Sequence, residues 1–262
     1  MIRILSALVL LSLVIGSVWF LPSWQLLVVA EIVLVLAFVE YAALTAQLGT
    51  PIARVVSGTA AVLSCAAMAG PPGPLGAVLL AATIALASVS LTAGPPRPAL
   101  LHALAAGLFP SLYLGLPLGA LVSLHESGGR EVVLLLVATV AVSDTAQFYT
   151  GSLLGRTPLA PAISPKKTVE GAVGGFVFGT VTLAVVGAWW LPGVAWPWRA
   201  ALGAIVVATG MLGDLFESML KRSAGVKDSS GLVPGHGGML DRIDALLFAA
   251  PAYYLFLRYG AW

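Results

Sequence analysis

The chain has 262 residues, 59% hydrophobic and only 9% charged, with 13 Lys and Arg against 11 Asp and Glu for a net charge of +2. Soluble domains carry about a quarter charged residues, so a mean hydropathy of +1.00 excludes a soluble globular protein. An all-α, polytopic membrane bundle is the expected fold class, with the lipid bilayer as its surroundings and no nucleic acid as partner.

Apolar windows near the roughly 20 residues a helix needs to cross hydrocarbon fall at 4–20, 23–48, 52–70, 75–93, 99–122, 131–154, 168–190, 199–222 and 243–258. They predict about nine transmembrane helices, with eight or ten left open by the close spacing of the first four. Pro22, Pro51, Pro71-Pro72-Gly73-Pro74, Gly94-Pro95-Pro96, Gly128-Gly129 and Leu191-Pro192-Gly193 punctuate the breaks. The first window has one arginine, a longer apolar run than a signal peptide and no clean small-x-small site after it, so it reads as a span, with cleavage as the alternative. Cys65, the one cysteine, reads as a small buried filler. Glu31 and Glu40 in the second window stand nine residues apart, half a turn out of phase, and neither receives a role. Residues 1–130 read as transmembrane scaffold and 131–262 as the part that carries the chemistry, within one integral membrane unit.

Basic residues fix the expected orientation. With loops numbered alternately, one side holds Arg3, Arg54, Arg97, Arg156, Lys166, Lys167, Lys221, Arg222, Lys227 and Arg242, and the other Arg130, Arg199 and Arg258. The richer side is cytoplasmic by the positive-inside rule. That places the N-terminus and both charged loops inside and the C-terminus outside. Trp189-Trp190 and Trp196-Pro197-Trp198 suit the opposite interface. Arg3, Arg54 and Arg97 read as topology markers.

Residues 144–244 hold 15 of the 24 charged side chains and all five aspartates, so the polar chemistry is segregated along the chain. Asp144, inside an apolar window, is costly enough to suggest a site. Ser164-Pro165 reads as a helix start, which would put Lys166, Lys167 and Thr168 at a phosphate-attracting helix N-terminus. The alternative is a basic loop that only sets orientation. On the eighth helix Asp214, Glu217, Ser218 and Lys221 fall at i, i+3, i+4 and i+7 and share a face. A plain internal ion pair with Lys221 would explain one such pair but not four groups. Lys221, Arg222 and Lys227 then precede Gly231, Gly235, Gly237 and Gly238, whose backbone amides allow close approach of an anion. His236 within that turn reads equally as a phosphate contact or a loop brace. Asp241 and Asp244 follow as the ninth helix begins. Oxygen ligands of this kind suit Mg²⁺, and no His/Cys set suits zinc. Carboxylates, lysines and glycine turns together are the equipment of phosphoryl or nucleotidyl transfer.

The run Ser218-Met-Leu-Lys221-Arg222, four residues, Lys227-Asp228, then Pro234-Gly235-His236-Gly237-Gly238 and Asp241-Arg242-Ile243-Asp244 resembles the signature of the CDP-diacylglycerol synthase (phosphatidate cytidylyltransferase) family. Gly213-Asp214-Leu-Phe-Glu217, Ser164-Pro165-Lys166-Lys167-Thr168 and Ser143-Asp144 resemble its upstream elements. The chain departs where that pattern often has Gly-Lys-Thr in place of Lys166-Lys167-Thr168 and tryptophan in place of Val169. The close resemblance covers roughly 141–250. It implies transfer of CMP from CTP to phosphatidic acid, using Mg²⁺ and a second, monovalent cation, at a bacterial inner membrane, with a homodimer left open. Carried over on the matching positions, it implies catalytic roles for Asp214, Ser218, Lys221 and Asp241. It places metal at Asp214 and Asp241, with Asp144 and Asp244 beside them. Substrate contact falls on Ser164, Lys166, Lys167, Thr168, Arg222, Lys227, His236, Gly237, Gly238 and Arg242. Ser218 reads as a ligand rather than a covalent intermediate, since a lipid phosphate needs no protein nucleophile. A polyprenol kinase lacks this signature, and a CDP-alcohol phosphotransferase would need an absent Asp-Gly-x-x-Ala-Arg run. A phosphorylated-solute transporter would show paired broken helices in both halves, whereas here the charge crowds one half.

Overall fold

A computed structural model of the chain describes residues 2–71, 73–92, 98–232 and 237–260, the side chains of residues 2–8 and 10 excepted. Arg97, Pro234, Gly235 and His236 lie outside the described residues, as does the Arg3 side chain. Nine helices among the described residues stand at the nine apolar windows. They are α1 (Ile2–Phe20), α2 (Ser23–Gln47), α3 (Arg54–Ala69), α4 (Pro74–Thr92), α5 (Leu100–Gly128), α6 (Arg130–Leu154), α7 (Val169–Trp190), α8 (Trp196–Ser223) and α9 (Leu240–Tyr259). The protein is an all-α polytopic membrane protein. Six helices (α2 and α4 to α8) are long and apolar enough to cross a bilayer by length and composition. α3 is a shorter apolar helix of 16 residues, and α9 carries Asp241, Arg242 and Asp244 in its first turns.

Two expectations are corrected. α5 does not stop near 122 but runs on to Gly128. Within it the helix widens to a π-turn over Ser111–Gly115. Pro110 and Pro117 bracket that turn, and a proline offers no N–H to the regular ladder, so a local change of pitch lets the helix continue. Ser164–Thr168, expected to begin a helix, is a strand, β2, paired antiparallel with β1 (Pro158–Ala160) through Pro158↔Thr168 and Ala160↔Ser164. The helix starts at Val169 instead. Thr168, in extended backbone, is its N-cap and accepts from the Gly171 N–H at 3.1 Å.

The fold divides into two units, Met1–Ser123 with Leu220–Arg242, and Leu124–Met219 with Ile243–Trp262. In the first, α5 presses backbone to backbone on α3. A Cβ on Gly115 would lie 2.6 Å from the Ala61 carbonyl, and one on Gly119 2.7 Å from Met68 Cβ. Small residues four apart allow this approach, which is how helices attract one another where lipid removes the hydrophobic drive. Leu34, Ala37, Ala61, Cys65 and Leu114 are fully covered here, and the Tyr41 hydroxyl donates to the Ala106 carbonyl at 2.9 Å. In the second unit glycines give close packing. Gly171, Gly174, Gly175 and Gly179 are all buried on α7. A Cβ on Gly175 would fall 2.8 Å from the Ser143 carbonyl, and one on Gly179 2.9 Å from Ser143 Cβ, both on α6. α8 and α9 meet in the same way, Gly213 facing the Asp244 carbonyl and Phe248.

Candidate functional site

Two clusters gather the ionisable groups, one in each unit. In the second unit Lys167 on β2 donates to Asp214 Oδ2 on α8, both side chains largely covered. Asp144 on α6 lies within electrostatic reach of both. The strand that carries Lys167 is held by the turn next to it. Backbone N–H groups of Arg156 and Thr157 donate to Glu170 Oε2 at 3.0 and 3.2 Å, and the Thr157 hydroxyl donates to Oε1 at 2.9 Å. Val169 N–H closes on the Thr157 carbonyl at 2.8 Å. The hairpin therefore presents its lysines from a fixed base: Lys166 is exposed, while Lys167 turns inward to Asp214.

In the first unit Lys221, in the last turn of α8, donates to Asp241 Oδ1 at the start of α9. The other oxygen of Asp241 accepts from Ser229 N–H at 2.9 Å, the Ser229 hydroxyl at 2.7 Å and Gly238 N–H at 2.8 Å. Burial pushes this carboxyl up, but the Lys221, Ser229 and Gly238 donors outweigh it and hold it below the usual carboxylate range. Asp241 is thus ionised at neutral pH. Gly237 adopts φ +79°, where a side chain would be strained, and its Cβ would sit 2.7 Å from Asp241 Oδ2. Gly238 is buried, with Ser229 and Glu40 in the space a Cβ would need. α8 ends with Gly225 at φ +73° and Val226 N–H returning 3.0 Å to the Lys221 carbonyl. Arg222 donates at 3.4 Å to the Val226 carbonyl, which spends part of its charge on that helix end.

The remaining expected residues are placed singly. Ser164 and Ser218 are half-buried, Thr168 caps α7, and Lys227 and Arg242 are exposed. Asp244 is half-buried and its Oδ1 accepts from Ala245 N–H at 2.7 Å. Glu217, on the polar face of α8, is fully buried. No three His, Cys, Asp or Glu side chains gather among the described residues. Mg²⁺ commonly takes one or two carboxylates from a protein and the rest of its oxygens from phosphates and water. Asp144 and Asp214, two carboxylates with an ammonium held beside them, fit that demand.

Sequence reasoning missed Glu40, Ser229 and Ser230. Glu40 on α2 is buried and accepts from both serine hydroxyls and from the N–H groups of Met239 and Leu240. The signal was present, since a glutamate within a span is expensive and implies a partner, but its partners lie about 190 residues away.

Fold and clusters together define a polytopic, all-α membrane protein that carries lysine-paired aspartates on α8 and α9. Residues 1–260 match the profile of the cytidylyltransferase family. The chain belongs to that family. A phosphatidate cytidylyltransferase of Synechocystis sp. is 48% identical over 133 residues, 49% of this chain and 44% of the relative. A Helicobacter pylori protein of the same name is 39% identical over 152 residues, 58% of this chain and 56% of the relative. One from Mycobacterium tuberculosis is 42% identical over 140 residues, 53% of this chain and 42% of the relative. The chain spans about half the length of the curated relatives it matches.

Proposed function

We propose that the chain is a nucleotidyltransferase that moves CMP from CTP to phosphatidic acid, giving CDP-diacylglycerol and pyrophosphate. The supporting observation is the Ser218-to-Asp244 signature, with Lys221 paired to Asp241 across it. Family membership and the names of the relatives point the same way. A phosphatidate oxygen forms the new bond to the α-phosphorus of CTP, and the bond from that phosphorus to the bridging oxygen breaks with pyrophosphate leaving. Neither event requires a covalent bond to the protein.

The chain's own residues bind and neutralise. Lys167 and Lys221, each paired to an aspartate within its own unit, are assigned to phosphate neutralisation. Lys166, Arg222, Lys227 and Arg242 are assigned to substrate contact. The glycines Gly237 and Gly238 let backbone approach the phosphates, and His236 is assigned to phosphate contact. Asp214, Asp241, Asp144 and Asp244 are assigned as oxygen ligands for Mg²⁺, which when bound would supply charge neutralisation of the polyphosphate. Ser164, Thr168 and Ser218 are assigned to ligand contact. The ten-to-three excess of basic residues supports nine spans with these loops on the cytoplasmic side of a bacterial inner membrane.

The test is purified protein in detergent with radiolabelled CTP, phosphatidic acid and Mg²⁺. Lipid-linked CMP and pyrophosphate in equal amounts are expected. Label that stays water-soluble, or that reaches a polyprenol instead, would overturn the reading.

A further inference from the structure

Glu40 sits in α2, among helices that the sequence presents as scaffold, yet it is only 4% exposed and both of its carboxylate oxygens are spoken for. Ser229 Oγ and Leu240 N–H donate to Oε2 at 2.9 and 2.8 Å, and Ser230 Oγ and Met239 N–H to Oε1 at 2.6 and 2.9 Å. Two donors come from Ser229 and Ser230, within the stretch between α8 and α9, and two from Met239 and Leu240, where α9 begins. One side chain therefore closes that loop and supplies the acceptor for the first N–H groups of α9, groups that a helix cannot satisfy from within. The anion is placed where the helix dipole favours it.

Ser229 connects this anchor to the aspartate of the signature. Its hydroxyl lies 2.9 Å from Glu40 Oε2 and 2.7 Å from Asp241 Oδ2. A hydroxyl carries one proton, so it serves these two carboxylates in turn, and the Ser229 N–H to Asp241 at 2.9 Å keeps the serine in place for both. Gly238 is the residue that makes room, since any side chain there would occupy the Ser229 and Glu40 position.

We infer that Glu40 is a positioning residue: it fixes both ends of the Ser229–Leu240 stretch and, through Ser229, aims the Asp241 carboxylate for the phosphate chemistry. This rests on the cytidylyltransferase reading. Outer partners of ligating carboxylates typically cost about 10- to 100-fold in affinity or activity when changed, and that is the scale expected here. Glutamine keeps the shape of Glu40 but removes its charge and turns an NH₂ group toward one hydroxyl and one backbone N–H; the hydroxyl can reverse and accept, while the N–H loses its acceptor.

The experiment compares full-length wild type, Glu40→Gln, Glu40→Asp, Ser229→Ala and the Glu40→Gln/Ser229→Ala double variant. It reads kcat, KM for CTP, the Mg²⁺ concentration giving half-maximal rate, and backbone deuterium uptake around 229–241 without substrate. Glu40→Gln is expected to lower kcat about 10- to 100-fold, raise the half-maximal Mg²⁺ concentration and speed uptake at Ser229, Met239 and Leu240. Ser229→Ala is expected to shift Mg²⁺ dependence in the same direction and to add less in the double variant than alone. Glu40→Asp is expected to recover part of the loss. The inference is overturned if Glu40→Gln leaves Mg²⁺ dependence and uptake unchanged, or if the two changes act independently. Should Glu40→Gln fail to fold, Ser229→Ala alone decides: an unmoved Mg²⁺ dependence overturns the proposal. If wild type itself forms no lipid-linked CMP, the enzyme reading falls, while the uptake comparison still decides whether Glu40 anchors the loop.

Discussion

Lys221 and Lys167 each reach a carboxylate on another element, which a reading of α8 by itself does not foresee. The i, i+3, i+4, i+7 face of Asp214, Glu217, Ser218 and Lys221 was legible because helical spacing is local. The partners were not, because Asp241 and Lys167 are brought in by the fold. Lys221→Ala removes a charged donor and leaves Asp241 held by Ser229 and Gly238. It is expected to lower kcat by about 100-fold or more while α8 stays helical, since alanine is the best helix former. Steady-state rates beside far-ultraviolet circular dichroism check this, and equal loss of both signals would contradict it. Thr168 gives a second case: the Ser-Pro pair mimics a helix start, but β1 offers Ser164–Thr168 a strand partner and the cap passes to Thr168. Thr168→Ala should cost about 1 kcal/mol of stability, read as a lower melting temperature in detergent.

At the level of elements, all nine apolar windows are helices because hydrophobic runs bounded by Pro and Gly leave few alternatives. The window at 99–122 already carried α5 past Pro110 and Pro117; what escaped that reading is the π-turn at Ser111–Gly115 and the run on to Gly128. The α7 glycines form a packing stripe, since small residues four apart let helix backbones approach inside lipid. Gly213 extends the same logic to α8 and α9. Its Cβ would meet Phe248 Cβ at 3.2 Å and the Asp244 carbonyl at 2.5 Å, and backbone does not yield as a side chain does. Gly213→Ala is therefore expected to destabilise by about 1–3 kcal/mol. Gly76→Ala on α4, where nothing lies within 4 Å, serves as the control and is expected to leave the melting temperature unchanged or higher. Equal loss in both variants would contradict the packing account.

For the whole molecule, the segregation of charge into residues 144–244 was visible at once, and so was the family resemblance. The participation of Glu40 was not, because a single polar residue in an apolar helix carries no address for its partner. Orientation is testable with the one cysteine removed. In a Cys65→Ala background, Lys227→Cys is expected to react only with reagents that reach the cytoplasm, and Gly193→Cys, between α7 and α8, only with reagents added outside. Labelling of both from one side would refute the alternating count. EDTA should stop transfer and restored Mg²⁺ should return it, as carboxylate-held Mg²⁺ requires.

The most direct measurement is the initial rate of CMP transfer from CTP to phosphatidic acid by wild type, Asp214→Asn and Asp241→Asn, each purified and shown to be folded. Mg²⁺-dependent product from wild type and rates lower by about 100-fold or more in each variant are the predicted result. Wild-type rates from either variant would contradict the assignment of these lysine-paired aspartates to the reaction.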